Sequence, residues 1–147
     1  MIMIAPVSFT NDPNVISQND KMISINSALQ IDLSGQVAAE AINFNQISGV
    51  GGQVDFVRGA KLSKEGKSII AFPATAKKGT ISRIVCGLQA GTFVTTSRND
   101  IDYIVTEYGV AQLKNKSVKE RAKSLIQIAH PKFREKLELE AKKLNII

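Results

Sequence analysis

Ser48-Gly49-Val50-Gly51-Gly52-Gln53 runs directly into Val54-Asp55-Phe56-Val57-Arg58-Gly59-Ala60. The first half is a glycine-rich loop, and the second carries apolar residues that can line a short helix. Glycine lets a backbone approach a ligand closely and adopt positive φ. Bare N–H groups leading into a helix start suit an oxyanion or a phosphate. The spacing is not a Walker motif, because no Gly-Lys-Ser/Thr follows. Gly49, Gly51 and Gly52 do not give G-x-G-x-x-G either. Taken alone, the stretch reads equally well as a tight structural turn.

Working outward, the apolar run Ile69-Ile70-Ala71-Phe72 within Ser68–Pro73 predicts a strand buried on both faces. Ser82–Cys86, Thr92–Thr96 and Tyr103–Thr106 predict further strands, the last β-branched and internal. Lys77-Lys78-Gly79 is a basic turn. Before the glycine loop, Asp12 can cap a short helix opened by Pro13. Residues 22–33 place Ile23, Ile25 and Ile31 against Ser24, Asn26, Gln30 and Asp32, the alternation of a half-buried strand. Ser34-Gly35 is a turn, and Gln36–Ile42 is a candidate hairpin partner. At the other end, Ser117 and Glu120 form a capping box ahead of Val118, Ala122, Leu125 and Ile126 at helical spacing. Pro131 opens a second helix with Phe133, Leu137, Ala141 and Leu144 on one side. The pattern predicts one α/β domain over 1–147, with a mainly parallel or mixed sheet flanked by helices and a helical C-terminus.

Length and composition narrow the classes. A chain of 147 residues fits one domain, and 44% hydrophobic against 22% charged residues is a globular balance. No apolar run is long enough for a membrane span. The apolar start Met1–Pro6 is too short for a signal peptide and has no basic leader, so a cytoplasmic protein is expected. Cys86 is the sole cysteine. It can form no internal disulfide, has no companions for zinc, and reads as a buried structural thiol. Ten Lys or Arg against four Glu fill residues 114–147, a basic segment most simply read as a solvated helix face. Aromatics are 5% with no Trp, which argues against stacking platforms for single-stranded nucleic acid.

The stretch Ser48–Ala60 resembles the C-terminal domain of the acetyl-CoA hydrolase/transferase family. Four further segments are similar to that family in the same order. They are Asn11-Asp12-Pro13, Asn26-Ser27-Ala28-Leu29, Gly79-Thr80-Ile81-Ser82-Arg83-Ile84-Val85, and Val105-Thr106-Glu107-Tyr108-Gly109-Val110-Ala111 with Leu113. Together they span nearly the whole chain. The resemblance implies a CoA-transferase-like (NagB/RpiA-like) fold.

What the resemblance implies about chemistry is specific. Family members move CoA from an acyl-CoA to a carboxylic acid through an acyl-glutamyl anhydride and a glutamyl-CoA thioester. Covalent catalysis splits one hard displacement into easier steps, and each tetrahedral intermediate needs preorganised N–H donors. By position, Gly52 supplies such a donor with Gly51 as neighbour. Asn11 matches an asparagine that can hydrogen-bond substrate or CoA. Lys77 or Lys78 matches a lysine that approaches CoA, and the alignment leaves both open. Coenzyme A or acyl-CoA is then substrate, and no metal is expected. The family's catalytic glutamate lies well before the Asn11 region, in a lobe this chain lacks; Glu40 and Glu107 do not occupy that position. Glu107 reads as a structural hydrogen-bonding residue, and Arg98–Asp102 as a polar turn with local capping.

The expected partners are acyl-CoA, a small carboxylate and the missing N-terminal lobe, with neither nucleic acid nor membrane. An apolar surface where that lobe packs would promote self-association, so a homo-oligomer is a further expectation. Two other readings stand beside this one. A non-catalytic CoA-binding or assembly module predicts no rescue by an N-terminal lobe. A basic nucleic-acid-binding domain, the more distant reading, predicts strongly salt-dependent binding.

Overall fold

A computed structural model describes residues 3–147, so the first two residues of the apolar start lie outside it. In chain order the elements begin with α1 (Val7–Thr10), α2 (Pro13–Ser17), β1 (Ile23–Asn26), β2 (Gln30–Asp32), β3 (Val37–Ala38), β4 (Ala41–Ile42), β5 (Asn45–Gln46) and α3 (Gln53–Leu62). They continue with β6 (Lys67–Ala71), β7 (Thr75–Ala76), β8 (Ile81–Ser82), β9 (Ile84–Val85), β10 (Tyr103–Thr106), β11 (Gly109–Gln112), α4 (Val118–Ile128) and α5 (Pro131–Lys143). The principal sheet has the order β1-β6-β10-β11, parallel except for the antiparallel β10–β11 pair. A second sheet, β3-β2-β9, and two short ribbons, β4–β5 and β7–β8, complete the architecture. The fold is α/β with a mixed sheet and a helical C-terminus, as the sequence predicts.

The core gathers Val57 of α3, Ile70 and Ile104 of the principal sheet, Ile31 and Ile84 of the second sheet, and Leu125 of α4, all fully buried. Burying one such aliphatic side chain stabilises the fold by roughly 1.5–3 kcal/mol. Local signals set the helix ends. Asp12 Oδ1 accepts from the Asn14 amide at 2.8 Å, and Pro13 opens α2. The Ser117–Glu120 capping box is complete at α4. Pro131 opens α5, where Leu137 and Ala141 are buried and Phe133 is partly so, while Leu144 ends the helix exposed.

Several expectations are corrected. The predicted strand 22–33 is two strands in different sheets, and only Gln30–Asp32 forms the hairpin with Val37–Ala38. Asp32 tightens that turn: its Oδ1 accepts from the amides of Ser34, Gly35 and Gln36 at 3.0–3.1 Å. In β1 the expected sidedness is inverted. Ser24 is buried, whereas Ile23 and Ile25 are exposed. α3 packs against β1 and β6 on the side to which Ser24 and Ser68 point, and both serines are buried there. β6 is buried on one side only, with Ile69 and Ala71 half-covered. The predicted strand 82–86 is divided between β8 and β9. Residues 92–96 form no strand beyond a single bridge from Thr96 to Val37, because the Thr92 and Thr95 hydroxyls accept from the Asn43 and Ala39 amides while the Thr95 and Thr96 amides both donate to the one Val37 carbonyl, which builds no ladder.

Candidate active site

The glycine loop is fixed at both ends and unengaged between them. The backbone carbonyl of Glu40 accepts the amides of Ile47 and Ser48 at 2.7 and 3.1 Å. At the far end, Gln53 Nε2 donates to Oγ1 of the fully buried Thr96 at 3.1 Å. Asp100 takes Arg58 and Lys61 at 3.1 and 3.3 Å, tying the middle of α3 to the 98–100 turn. This is what the Arg98–Asp102 stretch does, and local capping is the smaller part of it. Between these anchors Gly51 sits at φ +59°, in the left-handed region that favours glycine. Gly52 is the N-cap of α3 and brings no side-chain cap. The amides of Gly49, Val50, Gly51 and Gly52 donate to no acceptor among the described residues. They stand at the positive end of the ten-residue helix α3.

Asn11 lies against this loop. A Cβ on Gly52 would stand 2.5 Å from Asn11 Nδ2, closer than any real contact. A side chain at 52 would push the asparagine amide aside. Asn11 Oδ1 accepts from Thr10 Oγ1 at 3.1 Å, and its Nδ2 donates to nothing among the described residues. Sequence positions 11 and 52 are thus brought together, giving side-chain and backbone N–H donors side by side.

Lys77 and Lys78 are not part of that contact. Both are exposed on the β7–β8 turn and both adopt positive φ, 47° and 55°. The amide of Gly79 donates to the Ala76 carbonyl at 3.2 Å, closing a turn of the I′ type. Such a turn usually takes Asn or Gly, so two lysines here are held in a sparsely populated conformation. Glu107 Oε2 accepts the Ala74 amide at 2.8 Å, and so ties the β10–β11 turn to the base of the lysine ribbon. That is the hydrogen-bonding part the sequence suggested.

Two features were missed. Phe44, Ile47, Val50, Phe93 and Val94 are all exposed, and the Phe44 amide donates to the Gly91 carbonyl at 2.7 Å, so an apolar rim flanks the glycine loop. Alternating Phe and Asn within Asn43–Asn45 was the available signal. A separate hollow of about 380 Å³ is lined by Gln30, Ser82, Cys86, Phe133, Lys136 and Glu140, among others, and none of Asn11, Gly51, Gly52, Lys77 or Lys78 borders it. Cys86 is therefore half-buried at a hollow instead of sealed in the core. Burial, and then the charges of Glu140 and Asp32, push its thiol pKa up. Among the described residues, no group of three or more His, Cys, Asp or Glu is placed to hold a metal ion, and no helix is long and apolar enough to cross a membrane.

Comparison with known proteins fits this geometry. The family model described as acetyl-CoA hydrolase/transferase C-terminal domain matches residues 1–141. A 4-hydroxybutyrate coenzyme A transferase of Clostridium kluyveri is 61% identical over 143 residues, covering 97% of this chain and 33% of that protein. A butyryl-CoA:acetate CoA-transferase of Anaerostipes caccae is 49% identical, covering 98% and 33%. The crystal structure of RipA from Yersinia pestis superposes with a TM-score of 0.90 at 52% identity, covering 97% of this chain and 32% of that one. The chain thus spans about a third of the length of the relatives it matches.

Proposed function

The chain belongs to the acetyl-CoA hydrolase/transferase C-terminal domain family, and from that premise we propose that it supplies the C-terminal part of an enzyme moving coenzyme A from an acyl-CoA to a carboxylic acid such as acetate. Residues 1–147 act as one domain in this reading, in the cytoplasm. The nucleophilic glutamate comes from the part of the longer relatives that this chain does not match. Its carboxylate attacks the thioester carbonyl, CoA thiolate leaves, and an acyl-glutamyl anhydride forms. The thiolate then attacks the glutamyl carbonyl and expels the acyl carboxylate, leaving a glutamyl-CoA thioester. The acceptor carboxylate reverses the two steps and departs as the new acyl-CoA. The exchange runs through carboxylate and thiol groups alone and calls for no metal.

Each attack places negative charge on a carbonyl oxygen. The Gly52 amide, with Gly51 shaping the bend, is the donor for that oxygen, and Asn11 Nδ2 holds substrate or CoA beside it. Lys77 or Lys78 pairs with a CoA phosphate, as a point charge. The single observation that carries the reading is the adjacency of Asn11 Nδ2 to an N–H-bearing glycine at the uncapped start of α3. Loop amides committed to sheet or helix bonding would have removed the donors.

The test joins this chain to a glutamate-bearing N-terminal part and follows acyl-CoA:acetate exchange. The chain alone is expected to be inactive and the joined protein active. Gly52→Pro removes the donor and is expected to cut kcat by about 10²–10³, with circular dichroism unchanged. Full exchange in a folded Gly52→Pro protein removes Gly52 from the mechanism. No exchange in any folded pairing makes the chain a non-catalytic module.

A further inference from the structure

The principal sheet has two unlike faces. In register, Ser24, Ser68, Ile70, Ile104 and Ala111 point to the side covered by α3 and α4, and all are buried. The alternate residues Ile23, Ile25, Ile69, Val105 and Val110 point the other way. There Ile25 is 68% exposed, Val110 62% and Ile23 56%. Sheets built of parallel strands are normally covered on both faces, and β1, β6 and β10 are parallel. A contiguous bare apolar face of this kind marks an interaction surface.

One end of the same face is charged. Ile23, Lys67 and Tyr103, at the starts of β1, β6 and β10, line a hollow of about 490 Å³ together with Lys21 and Lys114. Glu65 and Asp102 stand 3.9 Å from Lys21 and Lys114 respectively. Lys67 has no ion-pair partner among the described residues. The bare face is therefore apolar along its length and basic where the parallel strands begin.

We propose that this face seats an amphipathic α-helix supplied by the part of the longer protein outside the matched third. The helix runs antiparallel to β1, β6 and β10, with its C-terminal end over Lys21, Lys67 and Lys114. Two features select this occupant. A helix packed on parallel strands as a crossover runs opposite to them, so its C-terminal end arrives where the strands start. That end carries unpaired carbonyls and the negative pole of the helix dipole, which complement Lys67, the one lysine of the three without an ion-pair partner among the described residues. A second copy of the chain would stack two such faces and leave Lys67, which no carboxylate pairs among the described residues, without a negative counterpart. Relatives about three times as long as the matched region have the chain length to supply the helix.

The test compares this chain alone with a chimera in which it replaces the matching third of the Clostridium kluyveri 4-hydroxybutyrate coenzyme A transferase. Acyl-CoA is absent throughout, so the outcome is separate from the catalytic reading. Carbene footprinting is expected to label Ile23, Ile25 and Val110 in the chain alone and to lose that labelling in the chimera. Leu139, on α5 and 53% exposed, should label in both. Ile25→Asp should leave the melting temperature of the chain alone unchanged and lower that of the chimera by about 2 °C or more. Lys67→Glu should lower the chimera's melting temperature at low salt, with the loss shrinking as salt rises. Equal labelling in both proteins overturns the proposal, as does an Ile25→Asp shift in both or in neither. A concentration-dependent dimer of the chain alone that protects the same face gives the surface to a second copy and also overturns it. Should the chimera not fold, the aligned positions of the intact Clostridium kluyveri enzyme take the same labelling and substitutions, with the same outcomes deciding.

Discussion

The N-termini of α3 and α4 solve one physical problem in opposite ways. Every α-helix begins with amides that lack helical partners. At α4, Ser117 Oγ accepts the Glu120 amide at 3.3 Å, and Glu120 Oε2 accepts the Ser117 amide at 2.8 Å. The donors are consumed and the end is closed. At α3, Gly52 offers no side chain, and the amides leading into the helix stay unpaired. One end is closed by its own side chains, and the other keeps its donors free. A glycine N-cap forgoes only about a few tenths of a kcal/mol relative to a serine one, and the glycine bend forgoes backbone entropy as well.

Substitutions at the two helix starts test this contrast. Among variants that keep every backbone amide, the greatest loss is expected from Gly52→Ala in the joined enzyme. It keeps the amide but pushes Asn11 aside, and misplacement on the scale of an ångström lowers rates by about 10²-fold. Exchange assays together with urea melts should show lost activity and little lost stability. Normal activity would mean that the asparagine does not work through its place beside residue 52. Next comes Gly51→Ala. Its Cβ would meet open space, so only the left-handed conformation opposes it, by about 1–2 kcal/mol, readable by chemical denaturation. Ser117→Ala should do the reverse of Gly52→Ala, removing about 1 kcal/mol of stability, roughly 3 °C in Tm, with exchange activity intact. The smallest effect concerns pH. Hydrogen bonds from the Ser117 hydroxyl, then from its amide, hold the Glu120 carboxyl below the usual carboxylate range. A depressed folded pKa contributes stability above the unfolded value, and that contribution fades as pH falls through the folded value. Glu120→Gln should therefore flatten the acid limb of the stability–pH curve. An unchanged limb would mean that the capping box closes the helix without help from the charge.

The two ends were not equally legible. Ser117 and Glu120 announced their cap at fixed spacing, and Asp12-Pro13 did the same for α2, because capping is local chemistry between residues two or three apart. The glycine loop announced unusual backbone but not its neighbour. That Asn11 fills the space left by the missing Cβ of Gly52 depends on α2 packing against α3 across more than forty residues. Lys77 and Lys78 were visible as a basic turn, whereas their left-handed backbone was not, since lysine carries no signal for it.

Read alone, the residues already carry the α/β class, the starts of α2, α4 and α5, the β10 strand and the family. These rest on short-range periodicity, caps and contiguous motifs. Which side of each strand faces inward emerges only on packing. Alternation marks two faces without saying which one a helix will cover; α3, packed against β1 and β6, covers the side of Ser24 and leaves Ile23 and Ile25 in water. Packing likewise decides that residues 22–33 divide between two sheets, because pairing partners such as Lys67–Ala71 and Ile84–Val85 lie far along the chain, where local patterning carries no information about them.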